Sequence, residues 1–261
     1  MTTATIFPTS LHRQIAELTS DLFSTASNVD TVLLVNSCAR GQAIPESDID
    51  FAILVKSGTT AIEIEDLEKR WHRYAFTEPT FLKYKQSHSF AQIHLDIIDG
   101  KFSPTLWDDG GRPDFFEIEI GNRLAYSLPI SNTGYYFQQL QKQWLPYYEE
   151  GLRLQRFTMV RHACMYDLNH VPFFIKRGLY FQAFDRLYKA FQEFLQVLFI
   201  AHKTYPIAYN KWIKEQVENY LQLSTLYPKL PTILSINNIE SGEMNEKAKI
   251  ILELLQEIDI S

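Results

Sequence analysis

The chain reads as an α+β protein, a mixed β-sheet domain followed by a C-terminal helical bundle, and three features of the sequence predict it. Two runs, 31–35 and 51–55, are apolar on consecutive residues and rich in β-branched side chains, as strands covered on both faces are. A further candidate strand, 90–98, places Asp96 between Leu95 and Ile97. From Tyr135 onward the apolar residues recur every three to four positions, the period of helices packed in a bundle. That change of period puts a boundary near 131–134 and divides the chain into domains 1–132 and 133–261.

Taken in order, residues 10–26 carry Leu11, Ile15, Leu18 and Leu22 on one helical face, with Thr9 or Ser10 as the cap. Strand 31–35 follows, then a polar connector 36–47, then strand 51–55, closed by Ser57 and Gly58. Ile62, Ile64, Leu67 and Trp71 predict a helix ending near Tyr74. Strands are expected at 80–85 and 90–98. Pro104, the run Asp108, Asp109, Gly110 and Gly111, and Pro113 supply turn chemistry. Residues 115–120 alternate apolar and acidic, which predicts an edge strand. In the second half, 147–168 reads as one helix, with Pro172 opening the next, where its missing N–H costs nothing. Residues 180–201 form the clearest helix: Phe184, Leu187, Phe191, Phe194 and Leu198 lie opposite a polar face of Arg186, Lys189 and Glu193. Helices over 209–223 and 244–258 complete the bundle.

Composition narrows the function. The 261 residues are 46% hydrophobic and 21% charged, which suits two globular domains of modest size. A net charge of -6 argues against nucleic acid as a partner, because phosphate backbones call for a basic surface. Cys38 and Cys164 lie far apart and match neither a disulfide framework nor a zinc spacing, which fits a reducing compartment. Residues 1–5 lack the basic flank and apolar core of a secretory leader, and no apolar span reaches membrane length. The expectation is a soluble cytoplasmic protein with no membrane partner.

The chemistry concentrates between Val32 and Val55. Asp48 and Asp50, two residues apart at the start of a strand, point to the same side. Two carboxylates held together repel, so a cation is what makes the pair tolerable. If the strand carrying Asp96 is a neighbour, three carboxylates converge into a hard-oxygen site suited to magnesium. Two such ions, roughly 3.5–4 Å apart, clamp an in-line phosphoryl displacement. The turn at Asn36 and Ser37 offers backbone N–H groups and a hydroxyl to a phosphate.

The runs Val35-Asn36-Ser37, Ala39-Arg40-Gly41, Ser47-Asp48-Ile49-Asp50-Phe51 and Leu95-Asp96-Ile97 resemble the signature of the DNA polymerase β-like nucleotidyltransferase superfamily. Their form is similar in particular to the bacterial antibiotic (aminoglycoside-type) nucleotidyltransferases, which carry a C-terminal helical domain, and to the minimal nucleotidyltransferases. The resemblance implies an N-terminal mixed-sheet nucleotidyltransferase domain. Asp48, Asp50 and Asp96 would be its metal ligands and catalytic acids, and Asn36, Ser37, Arg40 and Ser47 would lie at the nucleotide. It further implies two Mg2+ ions, ATP or another nucleoside triphosphate as donor, and AMP transfer to a hydroxyl of a small-molecule acceptor with release of pyrophosphate.

Lys189 and Lys211 are candidates for the β- and γ-phosphates, where a cation stabilises the leaving group. Glu117, Glu119 and Glu193 are candidate general bases. His94 is a candidate for lining the cleft or packing in the core, and Cys38 for packing. Arg156 and His162 faintly resemble the Arg-His pair of helical ribonuclease domains. Asn36 stands where the family has glycine. The alternatives are NMP transfer to a protein or RNA acceptor, as in nucleotidyltransferase antitoxins, and a nucleotide-binding regulatory protein that has lost catalysis.

Overall fold

The computed structural model describes residues 6–87, 89–105, 113–131 and 133–260. The expected turn residues Asp108, Asp109, Gly110 and Gly111 lie outside them. The chain forms two compact units, one of Met1–Phe102 and Glu119–Pro146, the other of Ser103–Ile118 and Tyr147–Ser261. Among the described residues no helix is long and apolar enough to cross a membrane.

The first unit is built on a four-stranded mixed sheet of β1 (Val29–Val35), β2 (Ile49–Val55), β3 (Ile93–Ile98) and the short β4 (Leu128–Pro129), in the order β3-β2-β1-β4. β1 runs antiparallel to β2 and β4, while β2 and β3 are parallel. Strand alternation sorts the sheet into two faces. Val32, Leu34, Ile49, Phe51, Ile53 and Val55 enter a core with Ile15 and Phe23 of α1 (Ser10–Ser24), Trp71 of α3 (Ala61–Thr77) and Phe81 of α4 (Pro79–Lys85). Asp50, Ala52, His94 and Asp96 alternate onto the other face.

Local chemistry sets where these helices begin. Thr9 caps α1 by accepting the His12 N–H at 3.3 Å. Thr60 and Glu63 form a reciprocal capping box at the start of α3. The expected strand at 80–85 is a correction: Glu78 accepts the Thr80 N–H and Pro79 occupies the first turn of α4. Phe81 and Tyr84, three residues apart, are its buried pair. Asp30 on β1 accepts the N–H groups of Tyr136 and Phe137 at 3.0 and 2.9 Å and so caps α6 (Tyr135–Trp144). Gly134 is required there, because a Cβ would sit 2.2 Å from the Asp30 carboxyl carbon.

The expected edge strand at 115–120 is also a correction. Residues Phe116–Ile120 form a helical turn, α5, running into a π-helical turn at Gly121–Ala125. Phe116, Glu117 and Ile120 are buried, a helical spacing that the alternating sequence disguises.

The second unit is a helical bundle around α7 (Glu150–Lys176) and α8 (Tyr180–Ala201), with α11 (Glu243–Gln256) packed on both. α7 is one helix through Pro172, where two had been expected. It ends at Gly178 in a left-handed conformation (φ 69°), which turns the chain directly into α8. Of the expected helix 209–223 only Ile213–Glu215 (α9) and the π turn Gln216–Tyr220 are helical, and Lys229–Ile233 adds α10. Phe157, Val160, Leu187, Phe194, Leu198, Ile251 and Leu255 are core. The polar face of α8 is not solvated as its sequence predicts. Lys189, Glu193 and Gln196 are buried: Lys189 meets Asp167, and Gln196 donates to Asp114 and Glu117.

Candidate active site

The sheet register assembles the site. Val35, the last residue of β1, pairs with Asp50 on β2, and Asp50 pairs in turn with His94 on β3. Asp48 lies two residues before Asp50 on the same side. Ligand atoms of Asp48, Asp50 and His94 all lie within 4.8 Å of one another, and His94 Nε2 is 3.6 Å from Asp48 Oδ2. Two acidic groups and an imidazole held this close form a donor set that a divalent cation can share.

Asp96 is two residues further along β3, opposite Ala52, on the same face as His94. Its carboxylate is largely exposed and meets Arg123 Nη2 at 3.4 Å. The structure therefore groups His94 with the Asp48–Asp50 pair and sets Asp96 beside it with an arginine of its own. No spacing in the sequence points to Arg123. His94 was detectable, because a parallel β3 in register with β2 puts its imidazole beside Asp50.

Directly after β1, residues Asn36–Ala39 make one helical turn, α2. Asn36 holds φ at 57°, the left-handed region that favours glycine. The first N–H groups of such a turn have no acceptor within it and are available to an anion. Ser37 is half-buried, and its carbonyl accepts the Gln42 N–H at 2.9 Å, which closes the turn. Arg40 follows on the same turn, its N–H on the Asn36 carbonyl.

Ser47 Oγ accepts the Ile44 N–H at 3.0 Å, so this side chain shapes the connector. Cys38 is buried beneath the site. Burial, reinforced by Asp50 and Asp48, pushes its thiol up to about 12, which makes it a packed residue and no nucleophile.

The remaining candidates, Glu119 apart, belong to the second unit. Lys189 is buried against Asp167, at 3.1 Å, in a cluster that also holds Arg186, whereas Lys211 is exposed. Glu117 is fully buried and ion-paired to Arg156 at 2.6 Å, so it is committed to structure and not to base catalysis. The same pairing takes Arg156 away from the ribonuclease-like pair with His162. Glu119 is exposed. Glu193 is fully buried, and burial, followed by the charge of Asp167, lifts its carboxyl to about 9.

Residues 12–96 match the family model of the nucleotidyltransferase domain. No curated protein matches the chain. The matched span begins at His12 and ends at Asp96, and it takes in the turn at α2, Asp48, Asp50 and His94.

Proposed function

We propose that this chain, whose residues 12–96 match the nucleotidyltransferase domain, transfers AMP from ATP to a hydroxyl of a small-molecule acceptor, releasing pyrophosphate. The observation that carries this reading is the convergence of Asp48, Asp50 and His94 within 4.8 Å, with Asp50 paired in the sheet to Val35, the residue before the turn at Asn36. Carboxylate oxygens suit magnesium, and the donor set fits a divalent ion. Held by Asp48 and Asp50, magnesium would supply charge neutralisation of the triphosphate and a lowered pKa at an attacking hydroxyl.

The chain's own residues do the rest. Asp48 and Asp50 hold the cation. Asp96, exposed and only loosely paired with Arg123, is free to turn to the same site as the third carboxylate. The α2 turn, with the Ser37 hydroxyl and the Arg40 guanidinium, orients the phosphates, and in-line alignment of donor and acceptor supplies much of the rate.

The test is incubation with ATP, magnesium and a panel of hydroxyl acceptors while pyrophosphate is followed. Release should require both metal and acceptor. An Asp48→Ala/Asp50→Ala double variant should lose about a thousandfold or more, since a metal site supplies several kcal/mol at about 1.36 kcal/mol per decade. A double variant as fast as the parent would remove the basis for this reading.

A further inference from the structure

Asp48 stands one residue ahead of β2, which begins at Ile49. The ladder that fixes Asp50 against Val35 and His94 does not extend to it. Its own carbonyl accepts the Cys38 thiol at 3.7 Å, and the carbonyl immediately before it is held from the helical layer. The Ser47 carbonyl accepts the Tyr84 hydroxyl at 2.5 Å and lies 3.1 Å from His12 Nε2. Tyr84 comes from α4 and His12 from α1, and each is 1% exposed.

The two side chains also meet each other. The Tyr84 hydroxyl lies 3.2 Å from His12 Nε2, and the rings stand edge to face with centroids 5.1 Å apart. On its other side His12 Nδ1 lies 2.8 Å from Thr9 Oγ1. One tautomer satisfies the whole set: Nε2–H donates towards the Ser47 carbonyl, and Nδ1 accepts the Thr9 hydroxyl proton. Polar groups this deep cost free energy unless every one is used. Here two of them converge on one peptide oxygen, that of the residue immediately before Asp48.

We infer that His12 and Tyr84 are positioning residues: from the helical layer they clamp the Ser47 carbonyl and so fix the backbone from which Asp48 reaches the metal. The catalytic consequence rests on the nucleotidyltransferase function proposed above, whereas the clamp can be observed without it. Groups that orient a metal ligand are worth about 10- to 100-fold in affinity or activity, and a displacement of about 1 Å at a reacting group costs about a hundredfold.

The experiment compares Tyr84→Phe, His12→Phe and His12→Gln with the parent. Mn2+ affinity is read by calorimetry, kcat and KM for ATP by pyrophosphate release, and the Asp48 amide resonance by NMR. Tyr84→Phe removes a single oxygen and preserves the packing, so it stays informative even if His12→Phe does not fold. Both Phe variants should bind Mn2+ about tenfold more weakly and lose 10- to 100-fold in kcat with a smaller change in KM, and the Asp48 resonance should move. His12→Gln, whose amide N–H can replace Nε2–H, should recover most of each loss.

Unchanged affinity, kcat and Asp48 resonance in Tyr84→Phe would overturn the inference. So would a His12→Gln variant no better than His12→Phe. A parent that neither binds Mn2+ nor releases pyrophosphate would instead overturn the proposed function, and the Asp48 resonance would still decide the clamp.

Discussion

Asn36 shows how much a single residue can carry. Its φ of 57° lies in the left-handed region, which glycine enters freely and asparagine more readily than other side chains. The turn therefore keeps the left-handed backbone that a glycine would give it. Asn36→Ala should cost about 1 kcal/mol in urea unfolding through left-handed strain, and Asn36→Gly none. Asn36→Gly should leave pyrophosphate release unchanged, and a large gain would mark the asparagine as a brake. Glu193 offers a second residue-scale test. Burial, then Asp167, raises its carboxyl from an ordinary value of 4.5 to about 9, against the opposing charges of Lys189 and Arg186. The folded state therefore holds a proton that the unfolded chain releases above 4.5. The resulting stability is fully present below that pH and is lost as pH rises towards about 9. Urea midpoints measured from pH 5 to 9 should fall for the parent, and Glu193→Gln should flatten that fall. That Asp48 and Asp50 come together on one side was legible from their spacing. Neither the burial of Glu193 nor the clamp on Ser47 was, because each depends on which helix faces the residue, and sequence separations of tens of residues hide that.

At the scale of elements, the same sequence signals succeeded or failed for identifiable reasons. β1, β2, α1 and α3 were readable because long apolar runs or several turns of period agree with their caps. α4 and α5 were not. Each is two turns or fewer, and over so short a stretch a strand pattern and a helix pattern share most of their residues. The deciding features were the Glu78 cap with Pro79 for α4, and the charge partners of Glu117 for α5. α7 failed differently: Pro172 was read as a helix start, yet the helix runs through it. Proline in a helix interior forfeits one backbone hydrogen bond and crowds the preceding turn, and packing of Val171 and Phe174 on either side, both buried, holds the helix together regardless. Pro172 itself is exposed, so replacing it removes no core contact. Pro172→Ala should therefore stabilise the protein, by up to about 3 kcal/mol, seen as a higher midpoint in thermal or urea unfolding. A lower midpoint would mean that the ring is part of the packing.

For the whole molecule, the division into a sheet-based and a helical part was legible because the hydrophobic period changes once along the chain. What the period could not show is that the short segment Ser103–Ile118 belongs to the helical unit, since its attachment combines a buried charge network with two apolar contacts, Phe116 on Tyr148 and Ile118 on the helical core. Arg156 on α7 is fully buried and directs its guanidinium at Glu117 (2.6 and 2.8 Å), Asp114 (2.7 and 3.2 Å) and the Thr105 carbonyl (3.0 Å). Tyr148 and Gln196 donate to the same carboxylates, and the guanidinium lies 4.8 Å from the centre of the Phe116 ring. A buried network of this kind contributes little over a well-packed apolar core while intact, but breaking it strands a charge. Arg156→Met leaves Asp114 and Glu117 without their counter-charge and should cost about 3–5 kcal/mol. The loss should fall on the helical unit. By hydrogen exchange, amides of α7 and α8 should lose protection while those of β1 and β2 keep theirs. Equal loss in the strands would show that the two units unfold as one, and the charged segment would then be fastening the whole chain.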